Sequence, residues 1–224
     1  MSDIRSYYER YWSDPESYSD PTVDQRKSLL RKHVRLGPDA KILDAGCGTG
    51  EFCKFFCDAG YDPTGIDLSQ AAVAHGRKNY PGIDFRDGTI EELLPQYAES
   101  FDALFSSEVI EHLFDVSAFL VAANQLLNDG GKLILTTPYH GLIKNILIDL
   151  AGYSNHYDPL GQHLRFFDCR GMKRCLDLAG FEVDIWSGYG RPWPLWKSFF
   201  VVAHKKYSVD KPPQTGSQGR VLTG

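Results

Sequence analysis

The sequence predicts an α/β protein with a mainly parallel sheet that is covered by helices on both faces. Two observations lead to this prediction. Strand-length apolar segments alternate with helical segments from residue 37 to residue 206, which is typical of βαβ units. The first of these strands also runs directly into a glycine-rich loop, "DAGCGTG", that precedes a helix.

The elements follow one another in a regular order. Four helices are predicted. Gly60 ends the first and a glycine pair ends the third, because glycine adopts the left-handed conformation at a helix C-terminus. The helices are "EFCKFFCDAG", "QAAVAHGRKNY", "DVSAFLVAANQLLNDGG" and "GMKRCLDLAGF". Seven strands are predicted: "KILDAG", "DPTGIDLS", "IDFRDG", "FDALFSS", "KLILTTP", "EVDIWSG" and "KSFFVVAHKK".

Three segments stand apart from this alternation. Residues 1–36 are polar and rich in aromatic residues, and they predict an N-terminal helical cap. Residues 139–165 fit no βαβ step and predict an insertion that covers the ligand-binding site of the sheet. Residues 207–224 lack apolar periodicity and predict a disordered tail.

Length and charge exclude several classes of protein. The 224 residues correspond to one domain with appendages. The net charge of -5 and the pI near 5.8 disfavour a nucleic-acid partner. The five cysteines form no CxxC pair, which favours reduced thiols and a cytoplasmic location. We find no signal-peptide pattern and no apolar run long enough to predict a membrane span.

The glycine-rich loop predicts a nucleotide site. Asp44, Gly46, Gly48 and Gly50 form a D-x-G-x-G-x-G pattern at a strand-to-helix turn, where glycines let the backbone approach a ligand. The nicotinamide fingerprint requires two residues before its last glycine, and only Thr49 stands there. A carboxylate at Asp44 would repel a pyrophosphate, but it suits the ammonium group of an amino acid.

Two further carboxylates end the next strands. Asp67 follows Asp44 by 23 residues and can accept hydrogen bonds from both ribose hydroxyls. Asp87 ends the third strand and can accept from an adenine amino group. The plainer alternatives are a helix N-cap for Asp67 and a turn residue for Asp87. The predicted cofactor-binding set is completed by Leu68, Gly88 and Ser107.

The stretch "SSEVIEHL" predicts an acceptor-side site. Glu108, Glu111 and His112 are spaced i, i+3 and i+4, so they would share one face of a helical turn. Two carboxylates and an imidazole on one face suit a hard divalent cation such as Mg²⁺ or Mn²⁺. The alternative is that the acids stabilise a helix N-terminus and that the histidine packs or forms a hydrogen bond.

Taken together, "ILDAGCGTGEF", "GIDLS", "FRDGT", "FDALFSSEVIEHL" and "GGKLILTTP" resemble the class I S-adenosylmethionine-dependent methyltransferases. The resemblance covers residues 37–206. It implies a Rossmann-like, doubly wound, seven-stranded sheet whose last strand is antiparallel. It also implies that the glycine loop binds the methionine part of S-adenosylmethionine, that Asp67 binds the ribose and that Asp87 binds the adenine.

The Glu-x-x-Glu-His motif resembles two subfamilies, the O-methyltransferases of ubiquinone biosynthesis and the 2′-O-methyltransferases of small RNA ends. Both imply that Glu108, Glu111 and His112 bind a divalent metal. The RNA enzymes imply a further histidine in the insertion, and His163 in "GQHLRFF" stands there. His140 and His156 are weaker candidates. The sequence around the insertion resembles the ubiquinone-type branch.

These residues predict O-methylation of a small hydroxylated, phenolic acceptor. A metal would lower the pKa of the hydroxyl, with Glu111, His112 and His163 as catalytic residues; an unligated His112 or His163 could take the proton instead. The alternatives are RNA 2′-O-methylation, N-methylation of a small molecule, a nicotinamide oxidoreductase, and a catalytically silent S-adenosylmethionine-binding subunit. The oligomeric state is not predicted.

An aromatic cluster precedes the domain. Tyr7, Tyr8, Tyr11 and Trp12 have helical spacing in "YYERYW". This spacing fits a lid over the cofactor or the acceptor. It fits equally a helix that packs its aromatic face on the domain.

Overall fold

A computed structural model describes residues 4–13, 20–158 and 161–211. The helices are α1 Ile4–Tyr11, α2 Val23–His33, α3 Glu51–Asp58, α4 Gln70–Asn79, α5 Ile90–Tyr97, α6 Val116–Leu126, α7 Leu142–His156 and α8 Cys169–Leu178. The strands are β1 Lys41–Ala45, β2 Asp62–Asp67, β3 Asp84–Asp87, β4 Phe101–Ser107, β5 Leu127–Pro138, β6 Phe181–Tyr189 and β7 Ser198–Lys205. A 3₁₀ turn, Ile110–His112, follows β4.

The seven strands form one sheet in the order β3-β2-β1-β4-β5-β7-β6. The strands from β1 to β5 pair in parallel, whereas β7 runs antiparallel to both β5 and β6. The predicted sheet with an antiparallel last strand is therefore confirmed. The strand order reverses between β1 and β4, which is where ligands bind in open α/β sheets.

Successive residues of the central strands point to opposite faces of the sheet and pack into two different hydrophobic cores. Leu43 and Leu104 face the core built with α5, α6 and α8. Ile42 and Phe105 face the core built with α2 and α3. This alternation follows from the two-residue side-chain period of a strand, and it explains why the strands are apolar throughout.

Two elements differ from the sequence expectation. Helix α5 was not predicted, although Thr89 and Glu92 form a capping box that the sequence displays; Pro95 within the helix weakens its pattern. Helix α6 ends at Leu126 rather than at the later glycines, because Leu127 already pairs with Phe101 on β4.

The structure describes parts of the three segments that were predicted to stand outside the βαβ alternation. Helices α1 and α2 lie in the N-terminal segment, and α7 lies in the predicted insertion. Beyond β7 the backbone carbonyls of Tyr207 and Val209 accept hydrogen bonds from Asn124 and Gln125 on α6. Residues 212–224, 1–3, 14–19 and 159–160 of the predicted segments lie outside the described residues. None of the described helices is both long and apolar enough to cross a bilayer.

Candidate active site

A cavity of about 960 Å³ opens at the carboxyl ends of β1, β2 and β4. The glycine loop, the end of β2 and the segment after β4 line one part of it, and α1 and the insertion line another. Most of the sequence-predicted cofactor and acceptor residues therefore line one cavity, whereas Gly50 and Asp87 are not among its lining residues. The roles of these residues toward a cofactor and an acceptor stay predictions.

The glycine loop adopts the conformation that its residues permit. Gly46, Gly48 and Gly50 have φ values of 81°, 52° and 88°, in the left-handed region that favours glycine. The Gly48 N–H donates to Asp67 Oδ2 at 2.9 Å. A side chain at Gly48 would collide with the indole of Trp12, so only glycine lets the loop backbone pack this closely against Trp12.

Two buried carboxylates flank this loop. Asp44 is 2% exposed, and burial raises its pKa to about 7; Cys53 Sγ donates to its Oδ2 at 3.3 Å. Asp67 accepts from the N–H groups of Gly48 and Ser69, both at 2.9 Å. Burial raises the pKa of Asp67 despite these two hydrogen bonds.

The remaining predicted cofactor residues occupy different places. Leu68, Gly88 and Ser107 line the cavity. The Asp87 carboxylate instead accepts from Gln70 Nε2 at 3.2 Å and lies 3.9 Å from an Arg77 nitrogen. The adenine role of Asp87 stays a prediction.

Arg26 is a cavity residue that the sequence reasoning missed. It is 4% exposed, donates to Ser107 Oγ and pairs with Asp20. Its Nε has no hydrogen-bond partner among the described residues. No local signal marks it, because Arg26 lies on α2, 81 residues before Ser107.

Glu111, His112 and His163 form a compact group of ligand atoms. One donor atom from each residue lies within 4.8 Å of the others. The insertion is docked directly on this motif, since the N–H groups of Leu164 and Arg165 donate to the Glu111 carbonyl at 2.9 and 3.0 Å. These two hydrogen bonds bring His163 to His112, and their ring centroids are 4.9 Å apart.

The hydrogen-bonding pattern of His112 and Glu111 leaves one atom of each residue with a lone pair that a ligand could use. His112 Nδ1 lies 3.1 Å from the Gln162 carbonyl; the carbonyl only accepts, so Nδ1 donates and Nε2 keeps its lone pair. That Nε2 lies 3.8 Å from Glu111 Oε1, a buried atom without a hydrogen-bond partner in the described chain. Histidines that bind a metal through one ring nitrogen typically donate the other ring N–H to a backbone carbonyl, as His112 does here.

Burial dominates the proton affinities here. Burial, and after it the neighbouring charge of Glu108, raises the pKa of Glu111 to about 8. Burial also lowers the pKa values of His112 and His163, so both imidazoles are neutral at neutral pH. The group therefore offers two imidazole nitrogens and one carboxylate that readily binds a cation or a proton.

Glu108 does not share the helical face that its spacing predicted, and this expectation is wrong. Its φ of +55° lies in the left-handed region, and the 3₁₀ turn begins only at Ile110. Its carboxylate accepts hydrogen bonds from Thr136 and Tyr189 instead. Glu108 lines the cavity beside the compact group of Glu111, His112 and His163, and its role as a metal ligand stays a prediction.

The two weaker histidine candidates form a separate pair. The ring centroids of His140 and His156 are 5.4 Å apart, and His140 packs edge-on against Phe166 at 4.8 Å. Burial lowers the pKa of His140 to about 4. Neither histidine belongs to the ligand group.

Helix α1 lines the cavity through Tyr8 and Tyr11. Glu9 accepts from Ser69 Oγ at 3.1 Å and from the N–H groups of Gln70 and Ala71 at 2.6 and 3.0 Å. Gln162 of the insertion donates to Tyr7, and Tyr8 lies edge-on to His112. The helix thus contacts both sides of the cavity, which fits a lid and a packed helix equally, and the lid role stays a prediction.

Comparison with known proteins agrees with this geometry. A family described as a methyltransferase domain matches residues 22–184. A ubiquinone biosynthesis O-methyltransferase of Xylella fastidiosa is 33% identical over 193 residues, covering 81% of this chain and 78% of that one. A probable S-adenosylmethionine-dependent methyltransferase of Mycolicibacterium smegmatis is 33% identical over 143 residues, covering 64% and 52%. The chain spans about half the length of several curated relatives that it matches.

Solved structures show the same fold. A Haloferax volcanii methyltransferase, solved in complex with the activator Trm112, superposes with a TM-score of 0.74 at 15% identity, covering 93% of this chain and 100% of that one. The family match spans most of the chain, and the sheet order and cavity are those expected of the family. The chain is a member of the class I S-adenosylmethionine-dependent methyltransferases.

Proposed function

We propose that this enzyme methylates a hydroxyl oxygen of a small, phenolic-type acceptor and that a divalent metal assists it. The observation that carries the proposal is the group formed by Glu111, His112 and His163 in the cofactor cavity. Donor atoms within 4.8 Å of one another can share one cation. The cofactor supplies an electrophilic methyl group, so the protein must bring an oxygen in line with it.

The residues of the glycine-loop side fit S-adenosylmethionine. Its methionine part is a zwitterion, and the cavity offers a buried cation, Arg26, and a buried acid, Asp44. We assign Arg26 to the carboxylate, because its Nε is unpartnered among the described residues. We assign Asp44 to the ammonium and Asp67 to the ribose hydroxyls.

The acceptor-side residues fit a divalent metal. The unpartnered Glu111 Oε1 is the donor that a cation would satisfy. Two imidazoles and one carboxylate suit Mn²⁺, Co²⁺ or Zn²⁺ better than Mg²⁺, which prefers oxygen ligands. A bound metal would act as a Lewis acid that lowers the pKa of the acceptor hydroxyl. If no metal binds, neutral His112 or His163 is placed to take the proton.

The walls of the acceptor side favour an apolar ring. Phe114, Phe119, Tyr157 and Phe166 are among the residues that line the cavity. Aromatic side chains pack against a phenolic ring in offset or edge-on contacts. The curated relatives named ubiquinone biosynthesis O-methyltransferases support O-methylation, although this chain's acceptor is assigned only by class.

RNA 2′-O-methylation is the weaker alternative. Binding a polyphosphate backbone takes many lysines and arginines, and the chain carries a net charge of -5. N-methylation of a small amine needs no metal, so it becomes the better assignment if the ligand group binds none.

The test is a titration of Mn²⁺ and Zn²⁺ into metal-stripped protein that is saturated with S-adenosylhomocysteine, followed by turnover assays with catechol-type and amine acceptors. We expect a metal isotherm that is lost in Glu111→Gln and His163→Ala and kept in His204→Ala. His204 is the matched control because it pairs with Asp184 at the far end of β7. Cofactor binding without any metal isotherm would overturn metal assistance and direct the assays to amines.

A further inference from the structure

Helix α1 is hydrogen-bonded to the turn between β2 and α4. Its Glu9 carboxylate accepts from Ser69 Oγ at 3.1 Å and from the N–H groups of Gln70 and Ala71 at 2.6 and 3.0 Å. The Ser69 N–H donates in turn to Asp67 Oδ1 at 2.9 Å. A single residue, Ser69, therefore connects α1 to the carboxylate that we assign to the ribose of the cofactor.

Gln162 connects the same helix to the acceptor side of the cavity. Its Nε2 donates to the Tyr7 hydroxyl on α1, and its backbone carbonyl accepts from His112 Nδ1 at 3.1 Å. Gln162 also directly precedes His163 in the chain. A shift of α1 would therefore act on the carbonyl that orients the His112 ring and on the residue next to it.

The segment that carries Gln162 is held mainly by hydrogen bonds. The N–H groups of Leu164 and Arg165 donate to the Glu111 carbonyl at 2.9 and 3.0 Å. Residues 161–165 are all exposed, so little core packing fixes them. Segments with few buried contacts open at low free-energy cost. The position of His163 therefore depends on hydrogen bonds that a neighbouring element can strengthen or release.

Tyr8 places α1 close to both predicted ligand sites. It lines the cavity, and its ring lies edge-on to His112, with the centroids 6.4 Å apart. Burial, and after it the charges of Asp67 and Glu111, raises the pKa of the Tyr8 phenol. The phenol therefore lies within electrostatic reach of both acids, and a cofactor bound at Asp67 is expected to pack against α1.

Helix α1 needs such contacts to stay docked. It spans only the eight residues Ile4–Tyr11, and a helix of this length is marginal in water without packing partners. A cofactor that adds contacts to α1 favours the docked position. By linkage, a docked α1 binds the cofactor more tightly.

We infer that Gln162 is a positioning residue that couples cofactor occupancy to the acceptor-side group. A bound cofactor keeps α1 docked, the Tyr7 hydroxyl then holds the Gln162 side chain, and the Gln162 carbonyl orients His112. The same hydrogen bond steadies the segment that carries His163. The inference rests on the cofactor of the proposed function and needs no bound metal, so failure of metal assistance leaves it standing.

The experiment is amide hydrogen exchange of the full, metal-stripped chain with and without saturating S-adenosylhomocysteine. In the wild type we expect the ligand to slow exchange of the Leu164 and Arg165 N–H groups about fivefold or more, the usual lower range of coupling between two sites. Tyr7→Phe and Gln162→Leu should each lose this protection, with calorimetry showing that both are saturated. The double variant should lose no more than either single variant, because one hydrogen bond joins the two residues.

Tyr207→Phe is the matched control, because its hydroxyl donates to the Asp177 carbonyl and Tyr207 is not among the residues that line the cavity. It should keep the wild-type protection. Protection that persists in both Tyr7→Phe and Gln162→Leu would overturn the inference, since the cofactor would then act on the segment without α1. Exchange in the wild type that the ligand leaves unchanged would overturn it as well.

Discussion

The Asp67→Asn substitution tests the cofactor assignment most directly. Asp67 uses one oxygen for the Gly48 N–H and the other for the Ser69 N–H, each at 2.9 Å. Each carboxylate oxygen retains acceptor capacity for one ribose hydroxyl. An asparagine replaces one oxygen by an NH₂ group, which cannot accept, so one ribose contact is lost and one backbone donor faces another donor.

The size of the effect follows from these contacts. The lost ribose hydrogen bond to a charged group contributes about 1.5–3 kcal/mol to binding, whereas the unsatisfied backbone donor is common to the free and bound protein and lowers stability instead. Weakening at the upper end, by about 3 kcal/mol, raises the Kd for S-adenosylhomocysteine by roughly 150-fold. Isothermal titration calorimetry measures this loss. A thermal unfolding scan of the same sample shows that the variant is folded.

Asp84→Asn is the matched control, because Asp84 begins β3 and pairs with Arg86 at 2.9 Å outside the cavity. It should leave the Kd unchanged. A folded Asp67→Asn variant that binds the cofactor product as tightly as Asp84→Asn would refute the ribose assignment.

Three further predictions concern the loop, the lid and a buried acid. Gly46→Ala should unfold more easily than Gly60→Ala in urea by about 1–3 kcal/mol, because both have φ above 80° but only the new methyl at position 46 overlaps Val109; equal losses would contradict this. Glu9→Gln should lower the free energy of unfolding by about 1 kcal/mol, because the helix α4 N-terminus loses its anion, and should speed dissociation of S-adenosylhomocysteine in stopped-flow measurements; an unchanged rate would argue against a lid. Burial raises the folded pKa of Asp44 from 3.8 to about 7, so the unfolded chain releases this proton first and the cofactor-free wild type loses stability as pH rises from about 4 to 7. Relative to Asp44→Asn, that loss amounts to at most about 4 kcal/mol, and parallel urea profiles of the two proteins across this window would exclude it.

The order of the strands along the chain could be predicted from the sequence, because it depends on local periodicity. The glycine loop and Asp67 were readable for the same reason, since each follows a strand directly. Helix α5 was missed although its capping box was present, and the end of α6 was misplaced because pairing of Leu127 with Phe101 overrode the helical pattern. For α5, Pro95 obscured a helical signal that the sequence does carry. At the end of α6, strand pairing in the folded protein overrode the helical pattern of the sequence.

The candidate ligand group depended on contacts between distant residues. The sequence determined which residue types stand after β4 and in the insertion, because spacing and composition are local properties. Only the tertiary structure decided that the backbone of Glu111 receives Leu164 and Arg165, which brings His163 to the site. It also decided that Glu108 has a left-handed backbone and accepts hydrogen bonds from Thr136 and Tyr189 instead of sharing a helical face with Glu111. Packing and strand register determine such contacts, and no short stretch of sequence encodes them.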